Sequence, residues 1–206
     1  APFGWMATLP VMGYVVGGAL STPLVAHSQA RWGRKVSFQI GLAVAVVSAA
    51  LCAWAAFSAS FWLLCTATVV AGYYSANGGL YRFAAAELAK PDYREKAVSL
   101  VLAGGLLGAV AGPNLASATR TLFPVPFAGA YIALIGVALL SMLCMAAIRF
   151  EAQPVVLNAA GQREQGRPLK VLMRQPAFIV AIVGAALGYG VMNLLMAATP
   201  LAMQVC

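Results

Sequence analysis

Six apolar runs, each close to the twenty residues that a helix needs to cross a bilayer, alternate with short polar stretches. They lie at 5–27, 36–58, 61–84, 97–118, 128–148 and 177–200. Most of the intervening stretches are only a few residues long, so sequential runs are predicted to be antiparallel neighbours. One is long and polar, from Arg149 to Gln175, and contains Gly161-Gln162-Arg163-Glu164-Gln165-Gly166-Arg167. The pattern therefore predicts a block of five helices at 1–148, a linker at 149–175, and a sixth helix in 176–206. At the end of the linker, Arg167, Lys170 and Arg174 share one helical face while Leu169, Leu172 and Met173 lie off it. A short helix lying in the interface is expected there.

Composition turns these runs into membrane spans. The chain is 62% hydrophobic and 9% charged, with a mean hydropathy of +0.86, where an average soluble domain is about a quarter charged. The expected fold class is an all-α membrane protein with six transmembrane helices. The formal charge of +8 does not indicate nucleic acid, because the cations sit at the ends of apolar runs and form no continuous basic face. Arg31, Arg34 and Lys35 follow the first run, and Arg82, Lys90, Arg94 and Lys96 surround the end of the third. Arg149, Arg163, Arg167, Lys170 and Arg174 lie in the linker. These are 12 of the 13 cations, with Arg120 alone on the opposite side. By the positive-inside rule the three regions are cytoplasmic and both ends of the chain lie outside.

Candidate chemistry is sparse. No His, Cys or acid cluster has metal-ligand spacing, so neither a metal nor another cofactor is expected. Cys52, Cys65, Cys144 and Cys206 are read as apolar packing residues, and His27, at a helix end, as an interfacial group. No nucleophile is placed with a base, so an enzyme is not expected. A six-helix channel or pore is the rival reading, but it needs a ring of charges or paired half-helices, and neither is visible. Polar groups inside spans mark candidate binding sites. Tyr74, Asn77 and Tyr81 fall at i, i+3, i+7 on one face of the third run. Tyr189, Asn193 and Met196 fall at i, i+4, i+7 on the sixth. A cavity lined by such groups suits a planar, partly apolar solute better than a sugar. Gly104, Gly108, Gly112 and Ala116 make a small-residue stripe beside Pro113, and Gly13, Gly17 and Ser21 a shorter one. Both are read as close helix contacts, the first with a gating role as well.

Val25-Ala26-His27-Ser28-Gln29-Ala30-Arg31-Trp32-Gly33-Arg34-Lys35 resembles the loop between the second and third helices of the major facilitator superfamily. The pattern there is Gly-x-x-x-Asp-Arg-x-Gly-Arg-Arg/Lys. Arg31, Gly33, Arg34 and Lys35 match it, while Ala26 and Ala30 replace its glycine and aspartate. Gly33 permits a tight turn, and the cations can pair with a carboxylate and with helix C-terminal carbonyls. Tyr81 to Pro91, with Tyr93-Arg94, resembles the cytoplasmic exit of the family's fourth helix, and Gly108-x-x-x-Gly112-Pro113 resembles part of a fifth-helix antiporter signature. Tyr189 to Met203 resembles the seventh helix of a bacterial group in which a flavin-type vitamin has been suggested for one member.

The resemblance implies a chain covering helices two to seven of a twelve-helix transporter in a bacterial inner membrane. Its partners would be the remaining helices of the same protein, the bilayer and a small-molecule solute, with a proton as candidate coupling ion. Transport would proceed by alternating access. Gly72 occupies the position of a glycine that follows a proton-coupling arginine in some exporters, but Thr68 stands where that arginine would be. With Ala30 in place of the acid, Glu87 is the expected partner of Arg31 or Arg34. Together with Gly33, Lys35 and Arg94 these residues form a candidate latch.

Overall fold

The computed structural model describes residue 6, residues 8–150, residue 171 and residues 173–203. These form helices and connecting turns, with no strand among them. The helices are α1 (Leu9–Phe57), α2 (Phe61–Gly78), α3 (Tyr81–Leu88), α4 (Arg94–Thr119), α5 (Ala128–Ala147) and α6 (Pro176–Met203), with a short 3₁₀ turn at Pro91–Tyr93 before α4. Residues 1–151 and 152–206 are separate compact units. The second contributes α6, and the interfacial helix expected at 167–174 falls largely outside the described residues.

α1 is 49 residues long, about 74 Å at 1.5 Å per residue, enough to cross a roughly 30 Å hydrocarbon layer twice. It is two helices joined at Gly33, whose φ of 79° and ψ of 168° interrupt the helical run. The Ser28 and Ser37 hydroxyls, nine residues apart in sequence, lie at 2.6 Å, so the chain doubles back at Gly33 into a hairpin. The connection expected to span several residues is thus essentially one glycine. At the opposite end of the hairpin the chain turns through Ala59, with φ of 51°. There the Ser60 N–H donates to the Ala55 carbonyl at 3.0 Å, the six-to-one bond of a Schellman ending. The Ser60 side chain then caps α2 by accepting from the Leu63 N–H.

α2 packs against both arms of the hairpin. A Cβ added to Gly17 would meet the Val69 carbonyl oxygen at 2.1 Å, and one added to Gly72 would meet the Gly18 nitrogen at 2.2 Å. This is backbone-to-backbone contact, possible only because both positions lack a side chain. Val25, Phe38, Leu42, Ala49 and Ala67 make the buried apolar core of the unit. Four of the helices are long and apolar enough to cross a membrane: Leu9–Phe57, Pro91–Thr119, Ala128–Ala147 and Pro176–Met196. α2 is less apolar because it ends in Tyr73-Tyr74-Ser75-Ala76-Asn77, the stretch that carries polar contacts.

One expectation is corrected here, and another meets no partner among the described residues. The third run, expected as one helix over 61–84, breaks at Gly79 and Leu80 and resumes as α3. The Leu80 N–H bonds Asn77 and the Phe83 N–H bonds Leu80, both across three residues, which tightens the chain between two helical pieces. The stripe of Gly104, Gly108 and Gly112 meets no neighbour within 4 Å of an added Cβ, and α4 has no buried residue. α4 is held mainly at its ends, by α3 on one side and by Gly129 against the Thr119 carbonyl on the other. Among the described residues the close helix approach is made by Gly17 and Gly72.

Candidate functional site

The end of the first unit that carries the Gly33 turn is organised by one six-residue stretch, Arg34 to Gln39, just beyond that turn. Helical geometry sends its side chains in several directions, and they reach three other helices. The Arg34 guanidinium (Nη2) pairs with Glu87 Oε1 on α3 at 2.6 Å, both groups partly exposed. The Lys35 Nζ donates to the Ala146 carbonyl in the last turn of α5 at 2.8 Å, and the Gln39 Nε2 donates to the Met142 carbonyl one turn earlier at 3.1 Å. Carbonyls in a final helical turn lack an intrahelical donor, and a cation there also opposes the helix dipole. Ser37 donates to Asn77 Oδ1 on α2 at 3.2 Å. Phe38 is fully buried, with the Tyr81 ring edge-on at 4.9 Å and the Phe150 ring at 6.0 Å.

The members expected of a latch therefore divide their work. Arg34 and Glu87 form the ion pair, while Lys35 secures α5. Gly33 supplies the reversal that lets Arg34 and Lys35 start a new helix beside the old one. The Arg31 guanidinium lies over the Trp32 ring at 5.7 Å, and Arg94 is exposed at the start of α4. The exposed aromatics Trp32, Phe83 and Tyr93 sit around this end, and Trp54, Phe57 and Trp62 around the other. Such girdles mark the two bilayer interfaces. Arg82 and Lys96 lie over the Phe83 and Tyr93 rings at 4.9 and 5.2 Å.

The residues expected on the polar face of the third run separate in the structure. Asn77 is fully buried, with its amide oxygen bonded to Ser37 and its Nδ2 to the Tyr73 carbonyl at 3.2 Å. A Cβ on Gly41 would touch its side chain at 3.1 Å. The Tyr73 hydroxyl donates to Ser28 at 3.3 Å, closing a cluster of Ser28, Ser37, Asn77 and Tyr73. In lipid, hydrogen bonds of this kind average about 0.6 kcal/mol each, so the four together contribute roughly 2–3 kcal/mol. Asn77 thus belongs to the joint between helices. The physical reason is cost: a carboxamide at this depth must be satisfied by neighbours, and the two serines are the nearest donors.

Tyr74 is half-buried. Tyr81 is half-buried as well, and its hydroxyl is buried with no hydrogen-bond partner among the described residues. In the second unit Tyr189 and Met196 are exposed on α6, and the Asn193 amide donates back to the Tyr189 carbonyl at 2.8 Å. Among the described residues no group of His, Cys, Asp and Glu could hold a metal ion. Sequence reading missed Ser28, Ser37, Phe38 and Gln39. The two serines could have been found, since they are small hydroxyl residues placed almost symmetrically about Gly33, where two antiparallel helices must face each other.

These features define a polytopic α-helical membrane protein with a charged clasp at one face. The chain belongs to the Major Facilitator Superfamily, whose family model matches residues 1–205. It is similar to "Riboflavin transporter RfnT" of Brucella anthropi, 34% identical over 201 residues, covering 96% of this chain and 50% of that protein. It is also 28% identical over 175 residues to "Uncharacterized MFS-type transporter YdeG" of Bacillus subtilis, covering 85% of this chain and 36% of that one. The chain thus spans about half the length, or less, of the curated relatives it matches.

Proposed function

We propose that this chain is the part of a secondary transporter that contains helices two to seven of twelve, and that the whole protein moves a small organic solute by alternating access. In this reading 1–148 supplies five helices of the first bundle, 149–175 is a cytoplasmic linker, and 176–206 opens the second bundle. The Arg34–Glu87 ion pair carries the proposal. It joins the basic hairpin to the end of the tyrosine-bearing helix, which is where an inner latch must act if two bundles rock about a central site. The solute is a planar, partly apolar compound of the flavin type; Tyr74 and Tyr81 are the candidate contacts in the first unit and, taken by themselves, Tyr189, Asn193 and Met196 those in the second. The similarity to a protein named as a riboflavin transporter supports that class. An inner-membrane location and a cytoplasmic clasp complete the reading, with a proton as the candidate coupling ion.

The test is transport by the full-length protein reconstituted in proteoliposomes. Saturable riboflavin flux, competed by other flavins and slowed by Glu87→Gln, is the expected result. Glu87→Gln with unchanged rate and affinity would remove the latch. Ion conductance without saturable solute flux would establish a channel instead. The 206-residue chain alone is expected to carry no flux.

A further inference from the structure

α2 and α3 form one continuous apolar run in sequence but two separately anchored bodies in the structure. The end of α2 is fixed: Asn77 is fully buried, bonded to Ser37 and to the Tyr73 carbonyl, and set against Gly41. Immediately after it come Gly78 and Gly79, neither of which has a neighbour closer than 3.8 Å to an added Cβ. α3 then runs for eight residues with Ala84 as its one buried residue. At its far end Glu87 pairs with Arg34. At its near end the Tyr81 ring stands edge-on to Phe38, and its hydroxyl is buried without a hydrogen-bond partner among the described residues.

We propose that α3 is a rigid lever hinged at Gly78–Gly79, and that Tyr81 is the positioning residue that loads it. Arg34 and Ser37 lie one helical turn apart on α1, so one surface holds the fixed side of the hinge through Asn77 and the moving side through Glu87. In the closed position seen here the ion pair holds α3 against α1 while the Tyr81 hydroxyl goes unsatisfied. An unpartnered buried hydroxyl disfavours the state that contains it. Opening the ion pair lets Tyr81 swing out to a water or a solute acceptor, and moves the start of α4 with it. Tyr81 and Glu87 are six residues apart, about 9 Å along a rigid helix, so a hydrogen-bond acceptor that captures Tyr81 opens the clasp. This last step rests on the reading of Tyr81 as a solute contact, whereas the lever itself does not.

Amide hydrogen exchange of the chain in lipid nanodiscs, without solute, tests the lever. Glu87→Gln is expected to speed exchange over 81–88 roughly two- to fivefold, the effect of losing one partly exposed pair, and to leave 61–77 unchanged. Gly78→Ala with Gly79→Ala fits without a clash and favours an unbroken helix, so it slows exchange over 81–88. Tyr81→Phe removes the unsatisfied hydroxyl and slows it also. Equal acceleration of 61–77 and 81–88 by Glu87→Gln would make α2 and α3 one body and overturn the hinge. Exchange at the wild-type rate in Tyr81→Phe would overturn the loading role of Tyr81. Because no solute is present, a protein that moves no flavin can still pass or fail this test.

Discussion

Replacing Gly72 by alanine adds a single methyl group at the most crowded contact between α1 and α2. That carbon would lie 2.2 Å from the Gly18 nitrogen and 2.3 Å from the Gly17 carbonyl carbon. Non-bonded carbon contacts are comfortable at about 3.5–4.0 Å, so the two helices must separate by more than an ångström at this point. Both obstructing atoms are backbone, and no rotamer change relieves the clash. Separation loosens the whole crossing, including the contact of Gly17 with Val69 and of Gly13 with Thr68. Overpacking of a close-packed interior costs about 1–3 kcal/mol, and a backbone clash belongs at the upper end. We therefore expect Gly72→Ala to destabilise the first unit by about 3 kcal/mol, more than a hundredfold in its folding constant. Reversible unfolding in mixed detergent micelles, followed by tryptophan fluorescence, reads this directly. A variant within about 0.5 kcal/mol of the wild type, the usual size of a substitution away from such contacts, would show that the α1 and α2 backbones do not touch there.

Four further outcomes follow from the same geometry. Gly108→Ala meets no neighbour and gains helix propensity of up to about 1 kcal/mol. It should therefore leave the first unit as stable as wild type or more so in the same unfolding assay. Gly33→Ala forces a side chain into backbone angles almost reserved for glycine. It should cost about 1–3 kcal/mol and loosen the hairpin, seen as increased exchange around Ser28 and Ser37. Asn77→Ala removes two hydrogen bonds and leaves a small void at a fully buried position. A loss of about 2 kcal/mol is expected, with the same loss in a Ser37→Ala background reduced because the two share a bond. Lys35→Met removes the donor to the Ala146 carbonyl and should fray the last turn of α5, raising amide exchange at 146–150 while the Arg34–Glu87 pair persists.

How much of this was legible beforehand can be followed residue by residue. The span ends at 128–148 and 177–200 were close to the helices observed, because a change from apolar to polar composition is a local signal that lipid enforces. The pairing of Glu87 with the basic hairpin was legible too, since opposite charges at the same membrane depth have few other places to go. Asn77 lies on the helix expected, but Ser37 holds it. Periodicity shows that Tyr74, Asn77 and Tyr81 are near one another in angle, but it does not show which of them a neighbouring serine will capture. The glycine stripes were misjudged in rank for a similar reason. Gly104, Gly108 and Gly112 make the more regular pattern, yet Gly17 and Gly72 make the contact, because a stripe matters only where a second backbone comes to meet it.

The order of apolar and charged residues by itself determined that this chain is made of membrane helices, where most of them begin and end, and which ends carry the charge. Those properties follow from the cost of placing each residue in lipid or in water, one residue at a time. Tertiary structure alone decided that Arg34 rather than Arg31 pairs with Glu87, that Lys35 caps α5, that Asn77 is locked between helices, and that one apolar run is broken into α2 and α3. Those outcomes depend on distances between groups far apart in sequence. The reversal at Gly33 and the backbone contact of Gly17 with Gly72 set those distances, and no single-residue preference contains them.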